Sequence, residues 1–273
     1  MAGVDRNRAL KVRLAAVGLV AGFASSFLGI GGGLIIVPAL AAFLGFPLKR
    51  AIGTSLATIV LVSAAGVAAE SWVKAENIHW GAAAVLTCGA LAGSWIGVLL
   101  LARFPVRPLK VSLVALLLLA AAKLAEVPMP APAAAFFPRW SSEMGMAVAV
   151  AVGVAAGIAS SLFGIGGGII AVPGLTILFA DVPFHAARAT SLAMIVPTSL
   201  LGSLLHFRLG TVDGRAAGVL LPPALMGALL GVLSANRLSE QPLRWSVSCF
   251  LIFAAWRLAR SPARDETGSA APR

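Results

Sequence analysis

Charge is scarce in this chain. Only 11% of its 273 residues are charged, against about 25% in a typical soluble domain. Hydrophobic residues make up 59%, and the mean hydropathy is +0.97. An ordinary water-soluble domain is therefore excluded. The ten acids (Asp5, Glu70, Glu76, Glu126, Glu143, Asp181, Asp213, Glu240, Asp265 and Glu266) fall at the ends of apolar segments, in loops or in tails. Proton relays in pumps usually need an Asp, Glu or His within the membrane, and none sits mid-segment. Glu70 and His206 come nearest: they stand at matching ends of repeated helices and read as interfacial residues. Cysteine is scarce too. Cys88 and Cys249 form no metal-type spacing and imply no disulfide framework; they read as small buried residues. No Ser-His-Asp or Cys-His arrangement, metal cluster or paired carboxylate is visible at membrane depth. The residues argue against an enzyme, a cofactor and a metal site.

What is present is apolar length. Segments run at roughly 14–46, 51–69, 80–102, 109–122, 145–180, 189–207, 216–235 and 243–259, and about 20 apolar residues span a bilayer. The fold expected is an all-α polytopic membrane protein. A net charge of +11 raises nucleic acid as a partner, but the basic residues are scattered at segment ends, as anchors and orientation signals are. Arg6, Arg8, Lys11 and Arg13 before an apolar run resemble a secretory signal. The run is far longer than a signal core, and its motif recurs inside the chain.

That motif organises everything else. Residues 22–40 return at 157–175 with 13 of 19 positions identical. Each copy reads Gly-x-Ala-Ser-Ser-x-x-Gly-Ile-Gly-Gly-Gly, with Pro38 or Pro173 following. The correspondence continues: Pro47 with Pro183, Thr54-Ser55-Leu56-Ala57 with Thr190-Ser191-Leu192-Ala193, Ser63 and Gly66 with Ser199 and Gly202, Gly93 and Gly97 with Gly227 and Gly231. The chain is two copies of one unit. It divides into a first transmembrane repeat (1–126), a proline-rich linker (127–143), a second repeat (144–260) and a polar, disordered tail (261–273).

Glycine-rich irregular backbone is tolerated at membrane depth only where protein or a water-filled cavity surrounds it. Broken helices at corresponding places in two repeats point to a transporter binding site. A helix that starts just after the glycines, at about Leu34, exposes free N–H groups and the positive end of its dipole. Those groups form an anion site without a cationic side chain. On this reading Gly31, Gly32, Gly33 and Gly166, Gly167, Gly168 supply backbone donors, and Ser25, Ser26, Ser160 and Ser161 add hydroxyls. Thr54, Ser55, Thr190 and Ser191 open the next helices and either cap them or line the pathway. Arg188 lies near a membrane boundary, where it snorkels or draws anions into a vestibule; Ile52 holds its place in the first copy. Pure packing by the glycines is the serious alternative. It is the preferred reading for Gly93-x-x-x-Gly97 and Gly227-x-x-x-Gly231. A dinucleotide fingerprint is rejected, because Leu34 and Ile169 stand at the last glycine's place and no βαβ unit surrounds them.

The first and fifth segments are too long for one simple helix. If each crosses once, 13 Lys and Arg lie inside and 8 outside; if each is a re-entrant hairpin, 15 lie inside and 6 outside. The positive-inside rule favours the second. It gives inverted repeats, 8–10 membrane segments and both termini cytoplasmic.

The doubled motif, each copy followed by a proline and Thr-Ser-Leu-Ala, resembles the sulfite exporter TauE/SafE family over about residues 12–259. The resemblance implies export of a small anion, such as sulfite, a sulfonate or another organic anion, across a bacterial cytoplasmic membrane. Expected partners are that anion, the lipid bilayer and, as an option, further copies of the chain; no nucleic acid is expected. A non-transporting membrane scaffold and an anion channel are the alternatives.

Overall fold

The structure is a computed structural model that describes residues 2–103, 106–125, 142–179, 182–237 and 241–260. The proline-rich linker, apart from its last two residues, and the polar tail lie outside them. Every regular element among the described residues is helical. The first half comprises α1 (Ala2–Leu28), α2 (Gly33–Pro38) with a π-helical turn (Ala39–Phe43), α3 (Leu48–Lys74), α4 (Trp80–Arg103) and α5 (Val106–Ala125). The second comprises α6 (Glu143–Phe163), α7 (Gly168–Leu178), α8 (Phe184–Arg208), α9 (Gly214–Ala235) and α10 (Gln241–Arg260). Among the described residues, six segments are long and apolar enough to cross a membrane: Ala9–Leu28, Leu48–Asn77, Trp80–Leu101, Glu143–Phe163, Phe184–Arg208 and Gly214–Ala235. The chain is an all-helical, multi-pass membrane protein.

The glycines break the first helix of each half as the sequence requires. α1 and α6 end in the same way: the N–H of Gly29 donates to the Ser25 carbonyl at 2.9 Å, and that of Gly164 to the Ser160 carbonyl at 2.8 Å. Gly29 and Gly164 both sit at φ +70°, the left-handed cap that glycine adopts without a Cβ penalty. The chain then folds back. A Cβ built on Gly32 would lie 2.9 Å from the Ala21 carbonyl oxygen, and one on Gly167 2.7 Å from that of Ala156. Further along, Gly174 meets Val152, so α7 runs back beside α6. In the first half Pro38, which has no N–H to give, is followed by a widened turn in which Leu44 N–H reaches the Ala39 carbonyl at 3.1 Å.

The halves interlock. Gly18 and Gly22 of α1 meet the carbonyls of Leu220 and Ala224 on α9, and Gly227 and Gly231 of α9 meet those of Leu19 and Phe23 on α1. The same seam joins α4 to α6: Gly93 and Gly97 meet the carbonyls of Val154 and Ile158, and Gly157 meets that of Ala90. Small residues let backbones approach closely where lipid provides no hydrophobic drive between helices. The packing reading of both Gly-x-x-x-Gly pairs therefore holds.

Corresponding helices α3 and α8 run antiparallel. The end of α3 meets the start of α8 through Glu70 and Arg188. The start of α3 meets the end of α8 through Gly53 and Thr211, and Thr54 and Asp213. Cys88 and Cys249 are not buried; both are exposed on the outside of the helical body. A chain whose outer surface faces lipid places small apolar residues there at no cost, so burial does not follow from their character.

Candidate functional site

The two breaks are packed directly on each other. A Cβ on Gly33 would overlap the Gly164 carbonyl, and one on Gly168 would overlap that of Gly29. Gly31 faces the Ile165 carbonyl oxygen, 2.5 Å from its would-be Cβ, and Gly166 faces Gly31. The glycines thus bring two irregular segments into backbone contact at the centre of the protein. Ile30, Leu34, Ile165 and their neighbours are buried around them.

The hydroxyls that follow stitch this contact together across the halves. Ser55 of α3 donates to the Gly164 carbonyl at 2.8 Å, and Ser191 of α8 donates to the Gly29 carbonyl at 2.9 Å. Thr54 Oγ1 accepts from the Asp213 N–H at 2.9 Å, and Thr190 Oγ1 accepts from the His79 N–H at 3.1 Å. Each bond has its twin. None of these residues opens a helix: α3 starts at Leu48 and α8 at Phe184, behind Pro47 and Pro183. The expectation that Thr54, Ser55, Thr190 and Ser191 open their helices is corrected. They lie inside the helices and satisfy backbone groups of the opposite half, which in a dry interior costs several kcal/mol if left undone.

The serines of the motif behave differently. Ser25, Ser26, Ser160 and Ser161 are all wholly buried. Ser161 Oγ pairs with Ser94 Oγ of α4 at 2.7 Å. The hydroxyls of Ser25, Ser26 and Ser160 have no protein partner, nor do those of Ser63 on α3 and Ser199 on α8. Leaving a buried hydroxyl unpaired costs about 1–3 kcal/mol. Four of the five fall at matching positions, Ser25 with Ser160 and Ser63 with Ser199. Sequence reasoning aligned Ser63 with Ser199 but gave neither a role; a hydroxyl repeated in two apolar helices was the available signal.

A buried ion pair sits at this centre. Arg188 is wholly buried, which corrects the snorkelling account. Its stem passes over Gly29. Nη1 donates to the Ser26 carbonyl at 2.7 Å, and Nη2 donates to both carboxylate oxygens of Glu70 at 2.7 Å. Nε has no partner. Glu70 is itself 0% exposed and also accepts from Asn77 Nδ2 at 2.8 Å. It is not the exposed acid that its place near a segment end suggests, because an arginine from the other half pairs with it in the protein interior. The second half lacks this pair. Ile52 stands against Gly164, and His206 Nε2 takes the Ser161 carbonyl at 2.9 Å while Nδ1 meets Thr211 Oγ1. His206 is likewise buried in the protein rather than exposed at its helix end. Outside the core, an open depression of about 440 Å³ is lined by Arg50, Gly210, Val212, Asp213, Gly214 and Arg215.

Broken helices that meet where two halves join are the arrangement in which transporters build their binding sites, and here unpaired polar atoms lie there beside a buried ion pair. The family profile of sulfite exporter TauE/SafE matches residues 3–136 and 149–273, so the chain belongs to that family. It is 28% identical over 268 residues to probable membrane transporter protein YunE of Bacillus subtilis, covering 90% of this chain and 96% of that one. A probable membrane transporter protein of Methanocaldococcus jannaschii is 28% identical over 249 residues, covering 86% and 90%. One from Xylella fastidiosa is 31% identical over 242 residues, covering 85% and 87%. No solved structure matches the chain.

Proposed function

We infer that this chain is a secondary transporter that exports a small anion, such as sulfite, a sulfonate or another organic anion, across the bacterial cytoplasmic membrane, with no catalytic step. The observation that carries this reading is the set of unpaired, buried polar atoms at the paired breaks: the hydroxyls of Ser25, Ser26 and Ser160 and Nε of Arg188. All four are donors, as an anion site requires. Gly31–Gly33 and Gly166–Gly168 shape the site by letting the two breaks close on each other. Thr54, Ser55, Thr190 and Ser191 hold them in that contact. The family assignment supports transport as the class of activity.

The antiparallel run of α3 and α8 supports inverted repeats, and the folding back of α2 and α7 supports re-entrant hairpins. With both hairpins returning to their own side, the N- and C-termini share one side, and the bias of Lys and Arg makes it the cytoplasm. Arg188, buried in its ion pair, no longer counts among the outside charges, and this sharpens the inside bias. The two repeats, 1–126 and 144–260, then rock about the shared centre.

Uptake of sulfite, sulfate, thiosulfate, a sulfonate and a short carboxylate into proteoliposomes tests the reading. Saturable flux of one of them over empty liposomes is expected. Flux that never saturates favours a channel, and no flux for any favours a scaffold.

A further inference from the structure

Arg188 binds its counter-ion in an unusual way. An arginine and a carboxylate commonly pair fork to fork, through two nitrogens. Here both oxygens of Glu70 share the single nitrogen Nη2, Nη1 is taken by the Ser26 carbonyl, and the Nε edge is left without a partner. The Ser26 hydroxyl, on the residue whose carbonyl Arg188 grips, is also unpaired and wholly buried. Glu70 therefore occupies part of an anion-binding guanidinium whose remaining donors are idle. The arrangement exists once, because the second half has Ile52 and His206 in these places.

We propose that Glu70 couples transport to protons: the anion displaces the Glu70 carboxylate from Arg188, and the freed carboxylate takes up one proton. This rests on the transporter reading above. The charges balance at each stage. The empty site holds Arg188 and Glu70 as a neutral pair. A monovalent anion entering alone would leave a net negative charge where water is excluded, and an unpaired charge there is strongly disfavoured. Protonation of Glu70 restores neutrality, so the loaded site is arginine plus anion beside a neutral acid. Both forms then cross the low-dielectric region without net charge, and each anion moves with one proton. Export therefore runs down the anion's own gradient and carries one proton out with it, while an imposed inward proton gradient drives the same cycle in reverse. The groups that face the Glu70 carboxylate are Arg188 from α8 and the Asn77 amide from the turn after α3. Asn77 donates to Oε1 and can keep that bond when the acid is neutral. Lys74 and Glu76, the nearest charges along the chain, are exposed.

The test uses the full chain in proteoliposomes with two strong-acid anions that carry no proton of their own, methanesulfonate and isethionate. Labelled exchange at equal pH comes first and reports on transport alone. An inward proton gradient is then imposed, and uptake is read beside an internal pH dye. The wild type is expected to accumulate the anion about tenfold per pH unit, with the interior acidifying. E70Q, which fixes the neutral form, is expected to exchange more slowly and to accumulate none. E70D is expected to recover accumulation, and H206Q to retain it. Exchange by the wild type without gradient-driven accumulation overturns the coupling and leaves the transporter standing. Accumulation by E70Q, or its loss in H206Q instead, overturns the assignment to Glu70. If E70Q does not fold, the wild-type gradient experiment and E70D decide. Absence of exchange in folded wild type for both anions removes the transporter reading for sulfonates and the coupling with it.

Discussion

Glu70 gives both carboxylate oxygens to one nitrogen of Arg188, each at 2.7 Å, and both side chains are wholly buried. They come from opposite halves, so the pair ties α3 to α8 as well as charging the site. Removing one partner from a buried pair costs about 3–5 kcal/mol, because the other is left uncompensated. R188Q should therefore lower the unfolding temperature in detergent sharply. R188Q/E70Q should recover most of that loss, since nothing charged remains to strand. Transport should stay absent in both. A double variant as unstable as R188Q would show that Arg188 supports the fold through the Ser26 carbonyl and not through Glu70.

The glycines of the two breaks should not tolerate a methyl group equally. Ala at Gly33 or Gly168 places Cβ on a carbonyl of the opposite break, where backbone has to move, so G33A and G168A should fold poorly. Gly32 has ordinary right-handed helical backbone, whereas Gly167 sits at φ +83°. Left-handed backbone costs a non-glycine residue about 1–2 kcal/mol. G167A should thus be less stable than G32A, although the two positions match in sequence. Bulkier residues at either should abolish transport. Gly218 is the control: a Cβ there meets nothing within 4 Å, and G218A should insert and transport normally. Thermal unfolding beside uptake separates these cases.

The breaks and their glycine caps were legible because they are local: in each copy of the motif Ser-Ser, three glycines and a proline follow in order, and each has a backbone meaning. What Thr54, Ser55, Thr190 and Ser191 do was not legible, because their partners lie 109 to 162 positions away in the chain. The burial of Glu70 was missed for the same reason. A glutamate near the end of an apolar segment reads as interfacial until an arginine from the other half is set beside it. The mismatch of Ile52 with Arg188 was visible, but its consequence needed the fold.

The side on which two loops emerge separates the topologies. If the glycine segments each cross once, residues 75 and 215 share the cytoplasmic side. With re-entrant hairpins they lie on opposite sides. Thr54 bonds to Asp213 at one end of α3 while Glu70 holds Arg188 at the other, which puts the two loops a helix length apart. Helix α3, of 27 residues, spans about 40 Å at 1.5 Å per residue. Cysteines at Ala75 and Arg215, both exposed, should be introduced singly in a C88S/C249S background, because the native cysteines are exposed as well. Position 75 should react with an impermeant maleimide in intact cells, and position 215 only after permeabilisation. Labelling of both from one side would rule out the inverted arrangement.

Two sets of serines should respond in opposite directions. Ser55 and Ser191 satisfy the Gly164 and Gly29 carbonyls, so S55A and S191A each strand a buried acceptor and should cost about 1–3 kcal/mol. The hydroxyls of Ser25 and Ser160 bond to nothing in the protein, while their carbonyls already hold the Gly29 and Gly164 caps. S25A and S160A leave those caps intact and remove a donor that the fold does not use. They should therefore match or exceed the wild type in thermal stability. If the hydroxyls serve the anion, the same variants should lose uptake, through a raised KM when one is removed and completely when both are. A structural role predicts the reverse correlation, with activity falling only where stability falls. S25A/S160A that is stable and still transports at the wild-type rate would remove these serines from the site and leave Arg188 and Ser26 as its core.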